Sequence, residues 1–157
     1  MAKIQKDMQV ILKSIQQGTP SKLTNKENQL QAQTNCERDV GRHFTTIKIR
    51  KSWDDAEAYC RVMGGHLATF KNKEEFDLIT GEIDPSERYW LGINDRAKEN
   101  NFVSVDFGKK VTFFEWGLAE PNNAAKDAGL DEDCVELKDL KMNDSECTGE
   151  NFFICQN

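Results

Sequence analysis

The stretch Ser52-Trp53-Asp54-Asp55-Ala56-Glu57-Ala58-Tyr59-Cys60-Arg61-Val62-Met63-Gly64-Gly65 decides the fold class. Ser52 can accept a bond from an unpaired amide of a helix's first turn, and Asp55 follows three residues on, the capping-box spacing. Trp53, Ala56, Cys60 and Met63 recur at helical spacing, which predicts one apolar face, and Gly64-Gly65 stops the pattern. Outward from there, a second helix is predicted from a cap at Asn72. Glu75 holds the boxed position, Phe76, Ile79 and Ile83 share a face, and Asp84-Pro85 ends the run.

Everything else reads as short strands. His43 to Arg50 alternates Ile47 and Ile49 with Lys48 and Arg50, and Leu67–Phe70 lies between the helices. Tyr89–Ile93, Val111–Phe114, Val135–Leu137 and Phe152–Cys155 follow them. Two helices followed by strands predict an α+β domain with an antiparallel sheet. From Gly117 to Asp133 neither pattern is present, and loops of that length are functional or disordered.

Residues 1–35 differ from the rest: they hold no aromatic residue and are rich in Gln, Lys, Asn and Thr. Ile4, Met8, Ile11 and Ile15 form a short coiled-coil-like seam broken at Gly18-Thr19-Pro20. Two heptads are too few to hold a coiled coil, so a frayed helix and tether is favoured over a short oligomerising neck. The domain is expected to occupy residues 36–157.

The net charge of −6 argues against nucleic acid and against anionic lipid, both of which need a basic face. No apolar run approaches the roughly 20 residues of a membrane span. Met1-Ala2-Lys3-Ile4-Gln5 lacks the apolar core of a signal peptide. The five cysteines, at 36, 60, 134, 147 and 155, contain no Cys-x-x-Cys pair and suit a disulfide framework. A secreted protein whose leader has been removed is therefore expected. An odd cysteine means an interchain bond or a free thiol. A disulfide-linked homodimer through Cys36 is favoured.

Acidic and amide oxygens gather at Asp95 with Glu99, at Glu120 with Asn122 and Asn123, at Glu132 with Asp133, and at Asn143-Asp144. Each alone reads as a solvated loop. If the fold brings them together, converging carboxylates need a cation, and calcium takes six to eight such oxygens. Zinc is a poor fit with only His43 and His66 available, and no EF-hand loop is present. Nor is there a Gly-x-Ser-x-Gly, a His-Glu-x-x-His or a Cys/His pair with a catalytic rationale, so an enzyme is not expected.

Trp90-Leu91-Gly92-Ile93, Trp116 followed by Glu120-Pro121-Asn122, and Met142-Asn143-Asp144 occur in that order with matching cysteines. Over about residues 40–157 they resemble the C-type lectin-like domain family. The run Phe102-Val103-Ser104-Val105 is similar to that of secreted single-domain insect members. The resemblance implies a C-type lectin-like fold: two helices, small antiparallel sheets and a long calcium-binding loop. It implies disulfides Cys60–Cys155 and Cys134–Cys147, the second closing a loop of roughly 14 residues. It implies a sugar-binding Ca2+ held by Glu120, Asn122, Glu132, Asn143 and Asp144, with a cis peptide before Pro121. The same five side chains would contact the sugar. A second Ca2+ would use Asp95, Glu99, Asn123, Glu132 and Asp133. The order Glu-Pro-Asn implies glycans with equatorial vicinal hydroxyls: mannose, glucose, N-acetylglucosamine or fucose. The alternative is a calcium-independent protein-binding module on the same fold.

Three departures stand out. The loop after Glu120 is a few residues long for the pattern, Ala124-Ala125-Lys126-Asp127 being the excess. Met142 stands where the motif has Trp. Asn143-Asp144-Ser145 is a formal glycosylation sequon, expected to stay unmodified beside its disulfide.

Overall fold

The structure is a computed structural model and describes residues 42–124 and 130–157. The seam at residues 4–15, Cys36 and most of the loop excess beyond Ala124 lie outside the described residues. In chain order come β1 (Phe44–Lys51), α1 (Trp53–Val62), β2 (His66–Leu67) and α2 (Lys73–Thr80). They are followed by β3 (Tyr89–Asn94), β4 (Val103–Ser104), β5 (Cys134–Lys138), β6 (Lys141–Ser145) and β7 (Asn151–Gln156).

Both helices start where their caps predict. Ser52 Oγ accepts from Asp55 N at 3.3 Å, and Asn72 Oδ1 accepts from Glu75 N at 3.0 Å. Glu75 does not complete its box. Its carboxylate accepts from Lys71 N at 2.8 Å and from the Arg42 guanidinium at 3.0 Å, which ties the helix start to the segment leading into β1. The second helix stops at Thr80, so Ile83 reaches the core from a turn rather than from the helix.

The strands join into one seven-stranded sheet in the order β1-β7-β3-β5-β6, with β2 on β7 and β4 on β3. The sheet is mixed rather than a set of separate antiparallel ones, because β3 runs parallel to β7. Trp53, Ala56 and Cys60 of α1 pack on Trp90, Phe153 and Cys155. Each of the two tryptophans finds a partner for its ring nitrogen. Trp53 Nε1 donates to Leu91 O at 2.7 Å, and Trp90 Nε1 donates to Lys51 O at 2.9 Å. Gly92 allows β3 to pass close to the chain at Leu67, whose carbonyl oxygen would lie 2.2 Å from an added Cβ. Cys60 is bonded to Cys155 and Cys134 to Cys147, with Cα separations of 5.4 and 5.1 Å.

Two expected strands are corrected. Val111–Phe114 is irregular: only Lys110 pairs, as an isolated bridge to Val103, and Val111 N turns to Phe102 O at 3.0 Å. The apolar residues there are core contacts without a ladder. The stretch expected to run to Phe70 is a strand only over His66–Leu67. Two residues on, Thr69 N takes the Gln156 side chain, Oε1 at 2.8 Å, in place of a main-chain oxygen. Two strands, β4 and β6, went unforeseen. β6 follows a turn with Asp139 and Leu140 both at positive φ, 51° and 57°, a conformation that favours Gly or Asn and gives no sequence signal here.

Candidate functional site

The site is built on the β5–β6 hairpin and the strands beside it. Cys134 pairs with Ser145 and Val135 with Asp144, so the disulfide and the Asn143-Asp144 pair sit on adjoining rungs. The long loop is pinned to the same hairpin at its start. Met142 N donates to Glu115 O at 2.8 Å, Gly117 N donates to Met142 O at 2.8 Å, and Trp116 bridges Met142. The Met142 side chain is fully buried, and its Sδ accepts from Glu115 N at 3.4 Å. Trp116 stacks on Phe114 at 5.1 Å and packs on Phe102 at 5.1 Å. Three residues past Gly117 the chain reaches Glu120, and the Glu120–Pro121 peptide is cis.

Asp144 is the hub. It is 3 % exposed, and its two oxygens accept from Asn122 N at 3.1 Å and from Asn123 N at 2.7 Å. Asn123 Oδ1 accepts from Glu132 N at 3.0 Å, its amide nitrogen donates to Glu99, and Glu132 accepts from Ala124 N at 2.5 Å. Asp95, at the foot of β3, donates its N–H to Asp133 O at 3.0 Å and accepts from Asn100 N at 2.7 Å. Thus Asn122, Asn123, Glu132, Asp144 and Glu99 form one hydrogen-bonded cluster, with Asp95 joined to Asp133. Asn122, Asn123, Asp144 and Glu99 line a cleft of about 380 Å³. Glu120 and Asn143 face a second cavity of about 220 Å³.

Three carboxyls of this region are pushed upward. Burial pushes the Asp95 carboxyl up to about 6, and Glu99, Asp133 and Asp144 repel it further. Glu120 is raised by burial, then by the Asp144 carboxyl in contact with it and by Glu132. Asp133 is raised by burial, then by Asp131 and Glu99. Asp95 Oδ1 and Glu120 Oε2 are buried with no hydrogen-bond partner among the described residues. Buried polar atoms are almost always paired, and an unpaired buried carboxylate oxygen is satisfied either by a proton or by a cation.

The comparisons bear on the same region. The family profile described as Lectin C-type domain matches residues 49–157. The chain belongs to that family. A C-type lectin relative, C-type lectin 37Db of Drosophila melanogaster, is 34% identical over 123 residues, covering 75% of this chain and 79% of that protein. The human Scavenger Receptor C-type Lectin carbohydrate-recognition domain superposes with a TM-score of 0.71 at 26% identity, covering 75% of this chain and 92% of that one. A calcium-independent type II antifreeze protein superposes with a TM-score of 0.65 at 25% identity, covering 74% and 85%. The expected α+β C-type lectin-like fold is therefore observed. The family is one of carbohydrate-recognition domains rather than enzymes, and among the described residues no helix is long and apolar enough to cross a membrane.

The lectin's donor set fits a hard cation. Among the described residues no three His, Cys, Asp or Glu side chains converge as a metal cluster. The loop instead alternates carboxylates with Asn amides, and calcium accepts both kinds of oxygen. One residue of the region escaped the sequence reading. Glu136 of β5 is fully buried. Its carboxylate accepts from the Arg88 guanidinium at 3.0 Å, from Asn143 Nδ2 at 3.2 Å and from Asn151 Nδ2 at 2.6 Å. Asn143 Nδ2 also donates to its neighbour's carbonyl, Asp144 O, at 2.6 Å. Glu136 stands directly behind an expected ligand. The only signal for it was a carboxylate set in the apolar run Val135-Glu136-Leu137.

Proposed function

We propose that this C-type lectin is a secreted, calcium-dependent sugar-binding protein selecting mannose-type glycans. The orphaned Glu120 Oε2 beside the Asp144 carboxyl carries the reading. Glu120, Asn122, Glu132, Asn143 and Asp144 would hold the sugar-binding ion. Asp95, Glu99, Asn123 and Asp133, with Glu132, would hold a second. Calcium supplies coordination positions that two neighbouring sugar hydroxyls can fill in place of water. The side chains fix which hydroxyls fit. Glu120 and Glu132 accept the hydroxyl protons, while the Asn122 amide donates to a hydroxyl oxygen. The Glu-Pro-Asn order supports equatorial vicinal pairs. A site so shallow binds one sugar weakly, and useful affinity comes from multivalency. On this reading residues 1–35 are a tether to a domain spanning 36–157, and Cys36 links two copies.

The experiment is retention on mannose-agarose in millimolar calcium, followed by EDTA, with calcium binding by calorimetry alongside. Retention released by EDTA supports the whole reading. Calcium binding without mannose retention removes the sugar preference and keeps the ion.

A second reading is a calcium-independent protein-binding module on the same fold. It draws on the likeness to the calcium-independent antifreeze protein and on Asn143, whose amide nitrogen is already engaged by Glu136 and Asp144 O. Absence of calcorimetric calcium binding would select it.

A further inference from the structure

The turn after β4 presents an aromatic ring that the described fold does not use. Lys110 returns to pair with Val103. Ser104 N donates to Lys109 O at 2.8 Å, and Gly108 N donates to Ser104 O at 2.9 Å. Gly108 takes a φ of 60°, which closes the turn. Asp106 braces it, accepting from Phe107 N at 2.8 Å and from Gln156 Nε2 at 3.2 Å. Held this way, Phe107 is 76% exposed. The Lys109 ammonium lies 5.4 Å from its ring centre.

Two cavities, of about 330 and 360 Å³, meet at this ring, and both are lined by Arg42, Lys71, Asp106 and Phe107. Lys109 and Lys110 add to the first. Arg42 is neutralised by Glu75 at 3.0 Å. Lys71, Lys109 and Lys110 have no ion-pair partner among the described residues, and Asp106 is the one carboxylate side chain lining the two cavities. The groove therefore carries a positive excess on a chain whose net charge is −6. It shares no lining residue with the acidic cleft.

We propose that this groove is a second carbohydrate site, for a linear glycan bearing sulfate or carboxylate groups, and that it works without calcium. The exposed ring offers a flat apolar face on which the C–H side of a sugar can rest. The three lysines offer ammonium groups to anions on either side of it, and ammonium–anion contacts of this kind are sensitive to salt. A single exposed ring is too little apolar area for a lipid surface. An acidic peptide would use the lysines and leave the ring idle.

The test is retention of the full chain on a heparin column in EDTA, so that no calcium site contributes. Wild-type protein is expected to bind at low salt and to elute as salt rises. Lys71→Glu combined with Lys110→Glu is expected to weaken binding by about tenfold or more and to flatten its salt dependence. Phe107→Ala is expected to weaken binding several-fold with the salt dependence unchanged. Lys48→Glu, an exposed charge reversal on β1, is expected to elute slightly early at most. All four positions are exposed, and circular dichroism checks that each variant folds. Lack of wild-type retention in EDTA would overturn the proposal. So would a Lys48→Glu effect as large as that of the groove pair, or competition by polyglutamate as effective as by heparin fragments. An unchanged Phe107→Ala variant would likewise remove the sugar-stacking role on which the glycan assignment rests.

Discussion

Glu136 is fully buried and Glu120 half-buried in the same small region, and they are treated in opposite ways. Both are pushed up by burial. Glu136 is surrounded by donors: a guanidinium and two amides, brought by the segment before β3 and by β6 and β7. Glu120 has an orphaned oxygen and another carboxyl for a neighbour. A carboxylate buried for structure arrives with its own donors. Where the donors are missing, as at Glu120 Oε2, the carboxyl is left to a proton or a ligand.

The first way to break this contrast is Glu136→Ala. Truncating Glu136 leaves the Asn143 and Asn151 amides without their buried acceptor, while half-exposed Arg88 can turn to water, and should cost about 3 kcal/mol in urea unfolding. A cost below about 1 kcal/mol would make Glu136 no different from Glu120. Next, Cys134→Ser with Cys147→Ser opens the bridge that anchors the hairpin and should cost about 3 kcal/mol. Calcium affinity should fall with it, read by calorimetry under non-reducing conditions. Then Glu120→Gln should behave unlike any Glu136 substitution. In EDTA it should be neutral or stabilising by about 1 kcal/mol, because it ends a carboxyl–carboxyl contact. In calcium it should lose most of the thermal shift that wild type gains, which is about 2.7 kcal/mol at a hundred times the dissociation constant. The smallest effect is on pH. With its carboxyl raised to about 6 in the fold, Asp95 holds its proton more tightly folded than unfolded. Its contribution in EDTA is therefore favourable at acid pH and is lost as pH rises towards and through 6. Asp95→Asn should flatten that slope in denaturation curves taken from pH 4 to 7. Stability that instead rises across this window in EDTA would show that Asp95 has found a partner.

Much of the fold was legible because local signals agreed with the tertiary outcome. Ser52 and Asn72 mark both helix starts, and the apolar run at Tyr89–Ile93 reads as a buried strand and is one. Legibility failed where side chains replaced the backbone as partner. Gln156 ends β2 by capping Thr69 N, and no pattern in Leu67–Phe70 announces a glutamine near the chain's end. It failed also at β6, where Lys-Met-Asn-Asp-Ser has little strand propensity and pairs because β5 offers it an edge. The site divides in the same way. Oxygen chemistry and motif order single out loop residues that the fold does bring together at Asp144, whereas nothing in the sequence marks Glu136, whose surroundings come from three other segments. Phe107 was invisible for a related reason: a phenylalanine in sequence carries a presumption of burial, which only the turn at Gly108 overrules.

The clasp of Glu115–Gly117 on Met142 has an evolutionary consequence. The loop leaves the sheet at Gly117, bonded to Met142 O, and returns at Cys134, which pairs with Ser145 three residues further along the same strand. Exit and entry are thus fixed by one short strand, whatever length of chain runs between them. Doubling a flexible loop costs only about 0.6 kcal/mol in closure entropy. Insertions or deletions there are cheap for the fold while they reshape the ground around Glu120 and Asn122. The hairpin works as a socket, and lineages sharing it can trade loops as interchangeable inserts without rebuilding what holds them.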